Sequence, residues 1–160
     1  MKTKDKAHQT IDFLNNGQFH GDVMFLYGMN YDEIIASIKK LSKGKNPIDP
    51  DWLMGINSEE DRRVITEAHA CALKREKVVD DVVVKTMFYI VIKDKFKFTP
   101  DDYITLSHEV VHQCQFYLPY LLNRDVEIEA EAYYHSHIMR QCLRIMKEAN
   151  KTNKTSKKIL

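Results

Sequence analysis

Hydrophobic positions along the chain change period several times, and each change marks an element. Ile11, Phe13 and Leu14, behind a charged start, predict a short amphipathic helix closed by Asn15-Asn16-Gly17. Residues 1–20 are thus expected to be a tail with a short helix, ahead of one domain spanning 21–150. The run Val23-Met24-Phe25-Leu26-Tyr27 between Gly21 and Gly28 predicts a buried strand. Asn30 with Glu33 three residues on predicts a capped helix to about Lys43, with Ile34, Ile35, Ile38 and Leu41 on its core face. Gly44 to Asp51 reads as a loop that Trp52-Leu53-Met54 anchors to the core. Ser58 caps a short helix to about Ile65.

From Thr66 to Lys74 apolar and polar residues alternate, which predicts a strand, with a continuing helix as the alternative. Asp80-Asp81 is a turn, and Val82 to Ile92 is the strongest strand signal in the chain. Thr99-Pro100-Asp101-Asp102 gives an N-cap, a proline at the first helical position and an acid at the third. The helix that follows should bury Ile104, Ser107, Val111, Cys114 and Leu118 and stop at Pro119. A second helix is expected from about Asp125 to Asn150, along Ile128, Ala132, His135, Met139, Cys142 and Met146. Residues 151–160 read as a basic, disordered tail. The fold expected from these elements is α+β: a small, mainly antiparallel sheet of about three strands packed by the last two helices.

Composition narrows the class without naming a function. The 160 residues are 44% hydrophobic and 29% charged, as in an ordinary globular chain of one domain. A net charge of +1 gives no global drive toward nucleic acid or membrane, and neither is expected as a partner. No apolar run approaches the ~18 residues of a spanning helix. The start Met1-Lys2-Thr3-Lys4 lacks the apolar segment of a secretory signal. Cys71, Cys114 and Cys142 are odd in number and scattered, which fits a reducing compartment, and a cytoplasmic location is expected.

The chemistry concentrates in the two last helices. His108-Glu109-Val110-Val111-His112 is an H-E-x-x-H motif. Its histidines lie one turn apart, about 40° around the helix, so both imidazoles reach one metal. Glu109 lies about 60° from His112 on the open side of the helix, close enough to act on a water without being a ligand. Catalytic zinc takes three protein ligands and leaves a position for water, whose pKa falls to about 7. Three acids follow on the second helix. If it returns antiparallel after a short connection, Glu131, 19 residues beyond His112, stands level with that histidine. Glu127 shares its face but comes nearly a turn early, and Glu129 points about 160° away.

An H-E-x-x-H followed by Glu131-Ala132 on a second helix resembles the gluzincin metallopeptidases. The stretch HEVVHQ…EAEAYY is similar to compact metallopeptidases of phages and bacteria. The resemblance covers 99–140. It implies a minimal zincin-like domain that hydrolyses peptide bonds in a peptide or protein substrate, with one zinc on His108, His112 and Glu131 and with Glu109 as general base. It also implies a phage-encoded protein acting in the host cytoplasm or the virion, and an extended substrate along the sheet edge. Where thermolysin-like members carry an Asp four residues after the ligand Glu, this chain has His135. Tyr133, Tyr134, His135 and His137 are candidates for the transition-state or outer-shell roles, as is Glu127 for the latter. Gln115 and Leu118 stand where a metzincin needs Gly and His, which excludes that group. The alternatives are a catalytically silent zinc-binding module, structural, virion-borne or protein-binding, and a peptidase that acts on nucleic-acid-bound proteins through the basic tail.

Overall fold

The structure, a computed structural model, describes residues 9–14, 22–117 and 128–156. Its elements in order are β1 (Thr10–Leu14), β2 (Val23–Tyr27), α1 (Tyr31–Ser42), α2 (Asp51–Met54), α3 (Glu59–Glu67), β3 (Ala70–Val79), β4 (Val82–Ile92), α4 (Pro100–Tyr117) and α5 (Ile128–Ser156). The class is α+β, and the sheet runs β1-β2-β4-β3. Its outer pairings are antiparallel, and the central β2–β4 pairing is parallel.

Both central strands are apolar on both faces, so both faces must be covered. Val23, Phe25, Tyr27, Phe88, Ile90 and Ile92 face α4 and α5. Met24, Leu26, Met87, Tyr89 and Val91 face the other way, onto Ile34 and Ile38 of α1, Trp52 of α2 and Ile65 of α3. The sheet therefore has helices on both sides, not only the last two. Trp52 is buried as expected: its ring meets Tyr89 edge-on at 5.2 Å, and its carbonyl accepts from the Tyr89 hydroxyl at 2.8 Å.

Local signals hold well. Asn30 and Glu33, and Ser58 and Asp61, form reciprocal capping boxes. At α4, the Thr99 hydroxyl accepts from the Asp102 N–H, and the Asp102 carboxylate accepts from the N–H groups of Thr99 and Lys97. Asp80 and Asp81 both have positive φ, as a two-residue turn between right-twisting strands requires. Three expectations change. Residues 10–14 form an edge strand instead of a helix, because five residues cannot offset the cost of helix nucleation while β2 offers an open ladder. Helix α3 reaches Glu67, so β3 starts at Ala70 and not near Thr66. The expected disordered tail is helical through Ser156, since no Gly or Pro interrupts the sequence after Asp125. Pro119 and the connection between the two last helices lie outside the described residues, as does the end of the tail.

One polar knot fastens α5 to the sheet. The Tyr27 hydroxyl donates to Asn150 Oδ1 at 2.8 Å and accepts from the Phe96 N–H at 2.9 Å. Asn150 Nδ2 donates back to the Phe96 carbonyl at 2.8 Å. Burial pushes the Tyr27 phenol above its usual range, so it stays neutral and able to donate. Tyr27→Phe leaves a buried N–H and the Asn150 oxygen without that partner. It is expected to cost about 1–3 kcal/mol in urea unfolding, whereas Tyr103→Phe on the outer side of α4 should be neutral within error.

Candidate metal and catalytic site

Helix α4 meets three surroundings, and these sort its side chains. Leu106, Val110 and Cys114 are buried in the core against the sheet and α5. Glu109 and Gln113, one turn apart, are buried as well. His108 is exposed and His112 half-buried on the outward side. The expected packing stripe is therefore rotated. Ile104 is 67% exposed and Val111 is exposed too, while Leu118 lies outside the described residues. Ser107, Val111 and Cys114 mark the side toward α5, whereas Leu106 and Val110 took the sheet.

The two histidines converge. His108 Nε2 and His112 Nε2 are 3.0 Å apart, with the rings edge to face and their centroids at 4.5 Å. His112 Nδ1 lies 3.2 Å from Gln115 Oε1. An amide oxygen only accepts, so Nδ1 carries the proton and Nε2 presents a lone pair to His108. Two imidazole nitrogens thus meet at one point beside solvent, where they can share a proton or hold one cation. This donor pair fits zinc.

Glu109 sits differently from expectation. It is 7% exposed, packed on the sheet side and not on the open side of the helix. The reason lies in β3, an edge strand. Its even-numbered side chains turn toward α4 and include Ala70 and Ala72, small enough for the helix to come close. The Ala72 N–H points off the sheet edge and hydrogen-bonds the Glu109 carboxylate. Burial raises the Glu109 pKa, and it outweighs nearby His108 and His112 and the Ala72 N–H, which all act to lower it. One turn on, Gln113 is fully buried, and neither its carbonyl oxygen nor its amide nitrogen has a partner among the described residues. Sequence reasoning missed this residue; a glutamine at i+4 from Glu109, in phase with Leu106 and Val110, was the available signal.

On its other side α4 faces α5 across a cleft of about 340 Å³, lined among the described residues by Val111, Cys114, Glu131, Ala132, His135 and Ser136. Ser107 Oγ lies 3.2 Å from His135 Nε2. Antiparallel helices in that register place Glu131 opposite Val111, in the same turn as His112. The structure thus brings together His108 and His112, with Glu109 beside them. Among the described residues no group of three His, Cys, Asp or Glu side chains is gathered closely enough to hold a metal. Glu131 lines the cleft, and Glu127 lies outside the described residues.

The other candidates divide. Tyr134 is fully buried in the core and faces no open site. His135 bridges the two helices through Ser107. Exposed Tyr133 stacks on His137 with centroids 5.9 Å apart. His69 pairs with Asp94 at the surface. All three cysteines are free and buried, and burial pushes the Cys114 thiol up to about 12, so it offers no thiolate to the cleft.

No family model, curated protein or solved structure matches the chain. No helix among the described residues is long and apolar enough to cross a membrane.

Proposed function

We propose that the chain is a zinc-dependent metallopeptidase of minimal zincin-like build. The observation that carries this reading is the meeting of His108 Nε2 and His112 Nε2 at 3.0 Å, with a buried carboxylate one residue away. His108 and His112 would supply two of the three ligands, and Glu131, across the cleft in the same turn as His112, the third. Bound there, zinc would supply Lewis-acid polarisation of the scissile carbonyl and lower the pKa of the attacking water.

The chain's own residues would do the rest. Glu109 takes a proton from the water as its oxygen attacks the carbonyl carbon, then delivers it to the amine nitrogen as the C–N bond breaks. Its raised pKa suits both halves of that task, since a base that is too weak cannot accept and an acid that is too weak cannot return the proton. Gln115 holds His112 in the tautomer that presents Nε2. An extended substrate would lie along the edge of β3, which pairs with β4 on one side only.

The test is metal content by mass spectrometry together with hydrolysis of a diverse peptide mixture. Stoichiometric zinc and cleavage that stops with a chelator and resumes with added zinc are expected. Zinc without cleavage would favour the silent binding module, and no zinc at all would remove both. Metal should also bear on the fold, because His108, His112 and Glu131 sit on two helices. A chelator is expected to lower the melting temperature by several degrees; superimposable curves would mean that core packing alone holds α4 to α5.

A further inference from the structure

Charge is unevenly placed along the chain. Of its 24 basic and 23 acidic residues, seven and one lie after Met139, so that stretch is net +6 and everything before it net −5. Arg140, Arg144, Lys147 and Lys151 follow at steps of four, three and four, continued in sequence by Lys154 and Lys158. On α5 the first four stay within a sector of about 60° and extend about 16 Å along the axis. Their sector is opposite Ile138, Cys142, Ile145 and Ala149, which fill the core. All four are exposed, and no ion pair among the described residues involves Arg140, Arg144 or Lys147. An ordinary solvated helix face mixes both signs; from Arg140 to Lys151, Glu148, at the edge of the sector, is the single acid. Two turns before Arg140, on the same ridge, stands the exposed ring of Tyr133, held by its stack on His137.

We infer that the outer ridge of α5 is a binding surface for single-stranded nucleic acid, with Arg140, Arg144, Lys147 and Lys151 on backbone phosphates and Tyr133 as a platform for one base. The charge fits a polyanion, and the chain-wide balance of +1 conceals it because the rest of the molecule is acidic. An aromatic ring in line with the cations favours unpaired bases, which alone expose a face for stacking. A helix that binds a bilayer keeps an apolar flank beside its cations, whereas the apolar side of α5 is spent in the core. This surface is independent of the metal site and needs no zinc.

The experiment is fluorescence anisotropy of the full chain with a labelled single-stranded oligonucleotide of mixed sequence, across a range of salt. Binding should weaken with salt at a log–log slope of about −3, the value for four phosphates on a single strand. Arg140→Glu, Arg144→Glu and Lys147→Glu together should lower affinity at least about tenfold and flatten that slope. Lys39→Glu with Lys40→Glu on α1 should change neither. Tyr133→Ala should weaken single-strand binding about fivefold or more and leave a duplex of the same sequence unaffected. Circular dichroism checks the fold, and the same three positions changed to Gln keep the test readable if the reversal disturbs α5. No anisotropy change at low salt, equal losses from the α1 control, or tighter binding to phosphatidylserine–phosphatidylcholine vesicles than to the oligonucleotide would overturn the assignment.

Discussion

Glu109→Gln is expected to keep the fold and bound zinc while lowering peptide hydrolysis by about 10²–10⁴-fold or more. The substitution suits this site because Gln keeps an oxygen that can accept from the Ala72 N–H, with nearly the same volume on the sheet side of α4. Ala would confound the result: it leaves that N–H without an acceptor and opens a cavity against β3. Stability should move opposite to activity. Burial raises the Glu109 pKa in the folded protein above its unfolded value, so the ionised carboxylate is a burden to the fold at neutral pH. That burden is absent below the unfolded pKa and grows as pH rises through the folded one. Glu109→Gln should therefore be as stable as wild type or more so at pH 7, with the difference closing in acid. Activity needs the ionised base and should fall as pH drops through the raised pKa. Equal, nonzero turnover by both proteins at equal zinc occupancy would exclude Glu109 as the base. A large loss of stability at pH 7 would mean that its carboxylate is a structural group.

What was legible in the sequence is what depends on near neighbours. The capping pairs Asn30/Glu33, Ser58/Asp61 and Thr99/Asp102, the Asp80-Asp81 turn and the strand Val82–Ile92 each carry their cause within a few residues. The start of α4 followed, and with it the meeting of His108 and His112. What was not legible depends on distant partners. β1 is a strand because β2 lies beside it, and the parallel β2–β4 pairing joins segments 65 residues apart. The rotation of α4 was hidden because that helix is packed on two sides. Ser107-Val111-Cys114 and Leu106-Val110 are both apolar stripes, and either could have been the sheet side. Choosing the first placed Glu109 in solvent; the second buries it against Ala72 and puts Gln113 behind it. Tyr134 was a site candidate by resemblance alone, and its ring fills the core.

The largest effect on metal should come from the ligands themselves. His112→Ala is expected to abolish stoichiometric zinc, because it removes the imidazole whose Nδ1–H is held by Gln115 and whose Nε2 meets that of His108. His108→Ala should do the same, while Gln115→Ala should only weaken binding, by about 10–100-fold, through loss of orientation. The third ligand is decided between acids on α5 and in the segment before it. Ser107 opposite His135 sets the register of α4 and α5, and that register puts Glu131 in the turn of His112. Glu131→Ala should therefore strip the metal and Glu129→Ala should not. Val111, exposed beside His112, lines the same cleft as Glu131. Val111→Trp should accordingly hinder zinc uptake in a protein whose histidines are intact, and Val111→Ala should leave it unchanged. Metal analysis and competition against a chromogenic chelator measure all of these. If Glu127→Ala strips the metal while Glu131→Ala retains it, the register of the two helices has assigned the wrong carboxylate and the ligand comes from the segment before α5.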